Sequence, residues 1–183
     1  MANECMTTLE VKSEKIKDIE EVYSTYFGSW SEGNSSERIS RLIGLFYNSH
    51  EEYYEDDNPK WVFIDELTES TKVKLCSAWH SPTGLIKRFL LHILKIDPDA
   101  TLEVKMVDED PDNVGGGFGS KAGYLFLDES MEYDELEEDS EDESDYWETR
   151  WDAIHELQDE LVDMCRRDIA VMSQEEDEKL GQQ

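Results

Sequence analysis

Three aspartates near the middle of the chain have the spacing of metal ligands. Asp108, Asp110 and Asp112 match the first three ligand positions of a calcium loop, and Ca²⁺ prefers carboxylate oxygens. Position six is Asn113 instead of glycine, and position twelve is Gly119 instead of glutamate. The sequence therefore excludes an EF-hand and leaves only a weak surface cation site.

A second segment, His155–Glu160 (HELQDE), is close to the zinc motif H-E-x-x-H. Asp159 stands where the second histidine belongs, and the other histidines are scattered along the chain. We interpret His155 as a surface residue, so the sequence predicts no metal and no cofactor.

Two further patterns favour structure over catalysis. Gly117–Ala122 (GFGSKA) matches G-x-G-x-x-A, but a strand is predicted after it, so no helix N-terminus would face a phosphate. This pattern predicts a flexible glycine-rich turn. Cys76 lies in a predicted strand close to His80, and an inert thiol is favoured over a nucleophile. Nothing in the sequence predicts an enzyme.

The charge of the chain is its most unusual property. Its 183 residues carry 46 Asp and Glu against 17 Lys and Arg, a formal net charge of -29. Such a charge repels nucleic acid and anionic membranes as direct partners and favours basic ones. A hydrophobic content of 38% is enough to build a core.

The expected location is the cytoplasm of the cell. The cysteines Cys5, Cys76 and Cys165 are few and far apart, as in a reducing compartment. No apolar run approaches the length of a membrane span, and the N-terminus does not have the pattern of a signal peptide.

The acidic residues recur in a pattern at the C-terminal end of the chain. After an acidic run from Asp128 to Asp145, a long helix is predicted from Ser144 to about Ser173, and carboxylates recur on it every three or four residues. Like charges at this spacing destabilise a helix, so local stability does not explain this row of carboxylates, which we call the acidic stripe. A charge of -29 equals that of about 50 Å of duplex DNA.

The hypothesis is that these carboxylates bind a basic partner, with neighbouring tyrosines as apolar anchors. The candidate carboxylates are Asp145, Glu148, Asp152, Glu156, Asp159, Glu160 and Asp163 on the helix, Glu135, Glu137, Glu138, Asp139, Glu141, Asp142 and Glu143 in the run, and Glu51, Glu52, Glu55, Asp56, Asp57, Asp108, Glu109, Asp110 and Asp112 in two loops. The candidate anchors are Tyr53, Tyr54, Tyr133 and Tyr146.

The remaining elements predict an α+β fold, an antiparallel sheet covered by helices on one face. Strands are expected at 7–13, 60–67, 71–79, 100–108 and 122–129, and helices at 14–30, 36–47 and 81–96. In the clearest helix, Ser81 is expected to cap the N-terminus and Pro82 to occupy the first position. The residues between 109 and 121 are expected to form a loop. On the last helix, the predicted buried side comprises Trp147, Trp151, Ile154, Leu157, Leu161, Met164 and Met172.

The central third of the chain resembles the YubB-type ferredoxin-like domain family of phage and plasmid proteins. The resemblance covers about residues 72–127: a strand ending in a Trp79–Ser81–Pro82 turn, a helix, a strand, and an acidic glycine-rich segment before Phe118. It implies a ferredoxin-like sheet and a mobile-element origin, and it carries no activity or site residues. We accordingly expect a ferredoxin-like domain at 1–134, an acidic linker or wall at 135–145, an acidic amphipathic helix packed on the domain at 146–174, and a frayed tail at 175–183.

Two functions remain open. The first is an inhibitor of a host defence system, a CRISPR effector or restriction nuclease, that mimics nucleic acid and blocks a basic groove. The second is an acidic binding module or assembly chaperone for a basic protein, without mimicry. A homodimer is also compatible with the sequence.

Overall fold

A computed structural model of the chain describes the backbone of residues 4–19, 22, 62–69, 71–78, 81–108, 113–131 and 143–181, and the side chains of all of these except 62–69, 143–147 and 175–181. The strands are β1 (Glu4–Lys12), β2 (Val62–Glu69), β3 (Lys72–Ala78), β4 (Thr101–Asp108), β5 (Asn113–Ser120) and β6 (Gly123–Ser130). The helices are α1 (Thr83–Ile96) and α2 (Glu143–Gly181). Residues 16–19 and 22 are also helical.

The strands form one sheet of six in the order β2-β3-β1-β4-β5-β6. Every neighbouring pair is antiparallel. The predicted α+β class with an antiparallel sheet is therefore confirmed. The narrower prediction of a ferredoxin-like sheet is not, because the sheet extends beyond four strands and its full order differs.

Strand β5 corrects the prediction of a loop between residues 109 and 121. Asn113–Ser120 pairs with β4 on one side and β6 on the other, although it contains Gly115, Gly116, Gly117 and Gly119. Glycine weakens a strand unless another group must approach its backbone closely. Here such groups are present: a Cβ on Gly116 would lie 2.7 Å from the backbone nitrogen of Val162 in α2.

The largest core cluster lies between the sheet and α1. It contains the fully buried Leu9, Leu75, Phe89, Ile93 and Val104, with the helical residue Ile19 also buried against it. The alternation of buried residues along β1 and β4 is that of strands with one face in a core.

The N-terminus of α1 differs from the prediction. Pro82 is the N-cap, Thr83 is the first helical residue, and no side chain caps the helix. The Ser81 hydroxyl instead accepts a hydrogen bond from the Thr7 hydroxyl at 3.2 Å, which ties the start of α1 to β1. Because Ser81 is buried beside a strand, its side chain bonds the sheet rather than its own helix.

Helix α2 lies on the opposite face of the sheet from α1. A Cβ on Gly119 would meet Leu90 of α1 at 2.5 Å, whereas one on Gly116 would meet Leu161 of α2 at 2.6 Å. Positions an odd number of residues apart in a strand point to opposite faces. The long C-terminal helix, which the prediction adds to the helix-covered sheet, therefore packs on the face opposite α1, and β5 and β6 present apolar residues on both faces.

The buried side of α2 also differs from the predicted one. Trp151 and Met172, which hydrophobic spacing places inside, are 43% and 45% exposed. Ile154 and Leu161 are buried as predicted, and Leu157 and Met164 are half-buried. The residues that the spacing misses are Gln158, Val162, Cys165 and Ile169, all buried.

Candidate functional site: the acidic face of helix α2

The predicted acidic stripe lies on the exposed side of α2. The stripe residues whose side chains are described, all exposed, are Glu148, Asp152, Glu156, Asp159, Glu160 and Asp163. They are exposed because Ile154, Leu161 and Ile169 hold the other side of the helix against β5 and β6.

Polar contacts fix the rotation of α2 on the sheet. The Gln158 side-chain amide donates a hydrogen bond to the Met106 carbonyl of β4 at 2.9 Å, in a buried position. The Cys165 thiol lies 3.6 Å from the Gly116 carbonyl of β5. The Arg166 guanidinium lies over the Phe118 ring, with its Cζ 5.1 Å from the ring centroid. These contacts determine which carboxylates face away from the sheet.

Two stripe residues are paired with cations of the same chain. Asp159 Oδ1 lies 2.5 Å from Lys105 Nζ of β4, and Asp163 pairs with Arg166 one turn later on the helix. Arg166 also lies 2.6 Å from Glu103 of β4, whose other partner is Lys12 of β1. This network ties α2 to the sheet and neutralises part of the stripe.

The other four carboxylates form a line without such compensation. Within the described part of the chain, Glu148, Asp152, Glu156 and Glu160 have no ion-pair partner. Each is four residues from the next, so the carboxylates follow one another on one side of the helix. We call these four residues the open line.

Trp151, which the sequence analysis places on the buried side of the helix, is instead exposed beside the open line. The half-exposed Trp151 ring lies 6.2 Å from the exposed His155 imidazole, with the two planes tilted by 36°. Position 151 is three residues after Glu148 and precedes Asp152. Helical periodicity cannot reveal this exposure, because Trp151 points in the same direction as the buried Ile169, about five turns later, and differs only in preceding Ile154, the first buried side chain described on α2.

Of the predicted loop carboxylates, Asp108 alone lies among the described side chains. It ends β4, and its Oδ2 accepts a hydrogen bond from the Asn113 amide at 3.1 Å. The side-chain oxygen Oδ1 of Asn113 in turn accepts one from the Ser130 hydroxyl, so Asp108 and Asn113 together link the ends of three strands.

Many predicted site residues lie outside the described residues. These are Glu51, Glu52, Tyr53, Tyr54, Glu55, Asp56, Asp57, Glu109, Asp110, Asp112, Tyr133, Glu135, Glu137, Glu138, Asp139, Glu141 and Asp142, together with the side chains of Glu143, Asp145, Tyr146 and Trp147.

The glycine-rich, calcium-like and zinc-like motifs of the sequence have structural roles. The GFGSKA segment ends β5 and supplies the two-residue turn at 121–122, and β6 follows it directly, so this segment does not lead into a helix. Residues 113–119 of the calcium-like pattern lie in β5, and 114–119 are paired on both sides. Asp159 of HELQDE is engaged by Lys105. Among the described residues, no three potential metal ligands form a group.

The three thiols are buried. Burial, with the negative charge of Asp108 nearby, raises the pKa of the Cys5 thiol to about 12. Burial and the neighbouring Asp168 also raise the pKa of Cys165. Cys76 lies 3.5 Å from a Glu4 carboxylate oxygen. Because the thiolate is the reactive form, the raised values make Cys5 and Cys165 poor nucleophiles.

No family model matches the chain, and no curated protein or solved structure matches it either. The similarity to the YubB-type family thus stays a prediction from the residues alone. Among the described residues, no helix is long and apolar enough to cross a membrane.

Proposed function

We propose that this chain is a phage- or plasmid-encoded inhibitor of a host defence system that mimics nucleic acid. The open line would occupy a basic groove that normally binds DNA or RNA, in the host-cell cytoplasm. The observation that carries this proposal is a row of exposed carboxylates that have no ion-pair partner among the described residues, on a helix packed against a sheet.

The spacing of the open line supports the proposal on scale. Since each residue adds about 1.5 Å to a helix, Glu148 to Glu160 spans about 18 Å, with one carboxylate per about 6 Å. One strand of duplex DNA carries a phosphate per about 3.4 Å. The open line therefore has a little over half the charge density of one strand.

The finer fold also belongs to the proposal. We infer that the run β2-β3-β1-β4, with α1 between β3 and β4, corresponds to the ferredoxin-like unit that the resemblance implies, and that β5, β6 and α2 are additions to it. The proposed mobile-element origin rests on the residues of the resemblance alone, because such a fold occurs in many unrelated families. The addition would then supply the acidic surface.

The alternative, an acidic module for a basic protein without mimicry, is favoured by one observation. Trp151 is half-exposed beside the open line, and exposed tryptophans are common at the centres of protein interfaces. Such a ring suits a shaped protein pocket as well as a nucleic-acid groove.

Competition by duplex DNA separates the two functions. The tagged protein captures its partner from host lysate at about 0.15 M salt, and duplex DNA or polyglutamate of equal total charge is then added. If the protein is a mimic, a stoichiometric amount of duplex DNA should displace it from the partner, because the protein and the DNA occupy the same groove. Polyglutamate of equal charge should displace much less. Release that depends only on total charge, or a partner that holds DNA and this chain together, would contradict mimicry.

A further inference from the structure

Strand β6 forms one edge of the sheet, and that edge is open. It is the last strand in the order, and within the described part of the chain none of its residues makes a backbone hydrogen bond on the side away from β5. In an edge strand, every second residue points its N–H and C=O groups outward. Half of the eight residues of Gly123–Ser130 therefore offer a donor and an acceptor to another strand.

The two edges of the sheet differ in the features that prevent pairing with another chain. At the opposite edge, β2 contains Asp65, Glu66 and Glu69, and its register with β3 shifts twice. Bulges, charged residues and prolines are the usual protection of an edge strand. Along β6 the register with β5 is regular over all eight residues, and residues 123–127 contain no charge and no proline. The edge at β6 is thus the unprotected one.

Apolar side chains on both faces of β6 are only partly covered. Tyr124 and Phe126 pack against the core on the α1 face, and Leu125 and Leu127 pack against the core on the α2 face. All four remain half-buried. A strand added at this edge would place its own side chains beside these four on both faces. The edge therefore offers apolar contacts as well as backbone hydrogen bonds.

The charges at the end of β6 indicate which strand would fit. Asp128 and Glu129 are exposed, and neither forms an ion pair with a described residue. A second copy of the chain would bring a further charge of -29 to this edge, whereas a basic strand complements it.

We propose that β6 binds an extended segment of a partner protein, apolar beside residues 124–127 and basic beside Asp128 and Glu129, as an additional strand of the sheet. Backbone hydrogen bonds hold such a segment, and its alternating side chains provide the specificity. This site is separate from the open line on α2, so it does not depend on mimicry of nucleic acid.

A synthetic peptide tests the site on the full chain at about 0.15 M salt. The probe is a six-residue alternation of threonine and valine between two pairs of arginines, so its basic ends suit either strand direction. It should bind with a dissociation constant below about 100 μM. Bound peptide should slow the hydrogen exchange of every second amide of β6, because only the outward amides gain a partner.

An N-methylated peptide is the control for nonspecific attraction to an acidic protein. N-methyl groups throughout the threonine–valine segment keep the charge of the probe but remove the N–H donors on both of its edges. This peptide should bind at least about tenfold more weakly than the probe.

Two double variants separate this site from the open line. Asp128→Lys/Glu129→Lys and Asp152→Lys/Glu156→Lys each change the net charge from -29 to -25, since each substitution replaces a negative charge by a positive one. All four side chains are exposed, and far-UV circular dichroism checks that both variants are folded. The β6 variant should bind the probe at least about tenfold more weakly, and the α2 variant within about twofold of the wild type.

Three results would overturn the proposal. The first is binding of the probe that N-methylation does not weaken, and the second is an equal loss in the two double variants. The third is a wild-type dimer in which alternate β6 amides exchange slowly without peptide, because the edge would then belong to a second copy.

Discussion

Helices α1 and α2 pack on the two faces of one sheet by different means. α1 buries a wide band of large side chains, Leu85, Ile86, Phe89, Leu90 and Ile93, against aliphatic residues of the strands. α2 lies over Gly116 of β5, where the absence of a side chain lets its backbone come close, and smaller residues such as Cys165 and Val162 fill its contact.

The difference shows that the packing surface decides which residues of a helix are buried. Against large strand side chains, a helix must project large residues of its own to fill the space. Over Gly116, the Leu161 and Val162 region lies almost on the strand backbone. Trp151, which precedes the first buried side chain described on α2, Ile154, remains partly in solvent.

The largest effect is expected from a charge in the α1 contact. Leu90→Asp places an unpaired carboxylate where the side chain is 3% exposed and should cost several kcal/mol, enough to unfold a domain of this size. Leu91→Asp is the matched control, because the neighbouring side chain is 59% exposed. Urea unfolding should show a cooperative transition for Leu91→Asp alone; a folded Leu90→Asp protein would mean that the α1 core is wrongly assigned.

A methyl group in the glycine strand should disturb α2 next most strongly. In Gly116→Ala the new Cβ would meet α2 backbone atoms at 2.7 and 2.9 Å, which cannot move without shifting the helix. We expect a loss of about 1–3 kcal/mol, as for overpacked cores. Compared with the wild type, amide hydrogen exchange in this variant should accelerate more in α2 than in the β1–β3 pair.

Gly115→Ala serves as the control for this variant. Its Cβ would meet the ends of the Phe126 and Met106 side chains, which can rotate away, and its backbone has no positive φ. Its cost should be clearly smaller than that of Gly116→Ala. Equal losses of stability in the two variants would show that the close approach of α2 is not the reason for glycine at position 116.

A smaller and pH-dependent effect is expected at the end of α1. The Ser13 hydroxyl donates a hydrogen bond to Asp97, and this bond, with help from the Asp99 backbone N–H, lowers the pKa of Asp97 below its ordinary value of 3.8. A lowered pKa means that the ionised form stabilises the fold above that value, and that this contribution is lost as the pH falls through the folded pKa.

Asp97→Asn should therefore be less stable than the wild type at neutral pH, and the difference should shrink toward about pH 3. Urea midpoints measured across this range test the expectation. Asp99→Asn, two residues along and exposed, should change little. A difference for Asp97→Asn that stays constant down to about pH 3 would assign the effect to the side-chain shape instead of its charge.

The sequence predicts those elements whose buried residues pack against large apolar side chains. The strands near β1, β3 and β4, and the buried side of α1, follow from alternation and helical spacing, because those residues contact large apolar side chains. Strand β5 could not be predicted in this way, since glycine runs usually indicate turns. A signal was present, because Val114 and Phe118 flank the glycines with strand formers.

The candidate site is predictable only in part, for the same reason. The recurring carboxylates of α2 are visible in the sequence, and so is the i,i+3 spacing of Asp163 and Arg166, but the pairing of Asp159 is not. That pairing depends on Lys105 of β4, and therefore on how α2 lies on the sheet.

The most direct measurement compares two pairs of substitutions on the same helix. Asp152→Asn/Glu156→Gln neutralises two residues of the open line, and Asp159→Asn/Asp163→Asn neutralises the two ion-paired residues. Both change the net charge from -29 to -27, since each removes two negative charges. The first pair should gain about 0.2–0.5 kcal/mol from relief of repulsion, and the second should lose up to about 1 kcal/mol per ion pair.

The deciding readout is the association rate with the host protein that the wild type captures, measured against salt concentration. If the open line mimics phosphates, Asp152→Asn/Glu156→Gln should bind at least about tenfold more weakly and with a flatter salt dependence, while Asp159→Asn/Asp163→Asn keeps most of its affinity. Equal losses in the two variants, or full affinity in the first, would contradict the assignment of the open line as the binding surface.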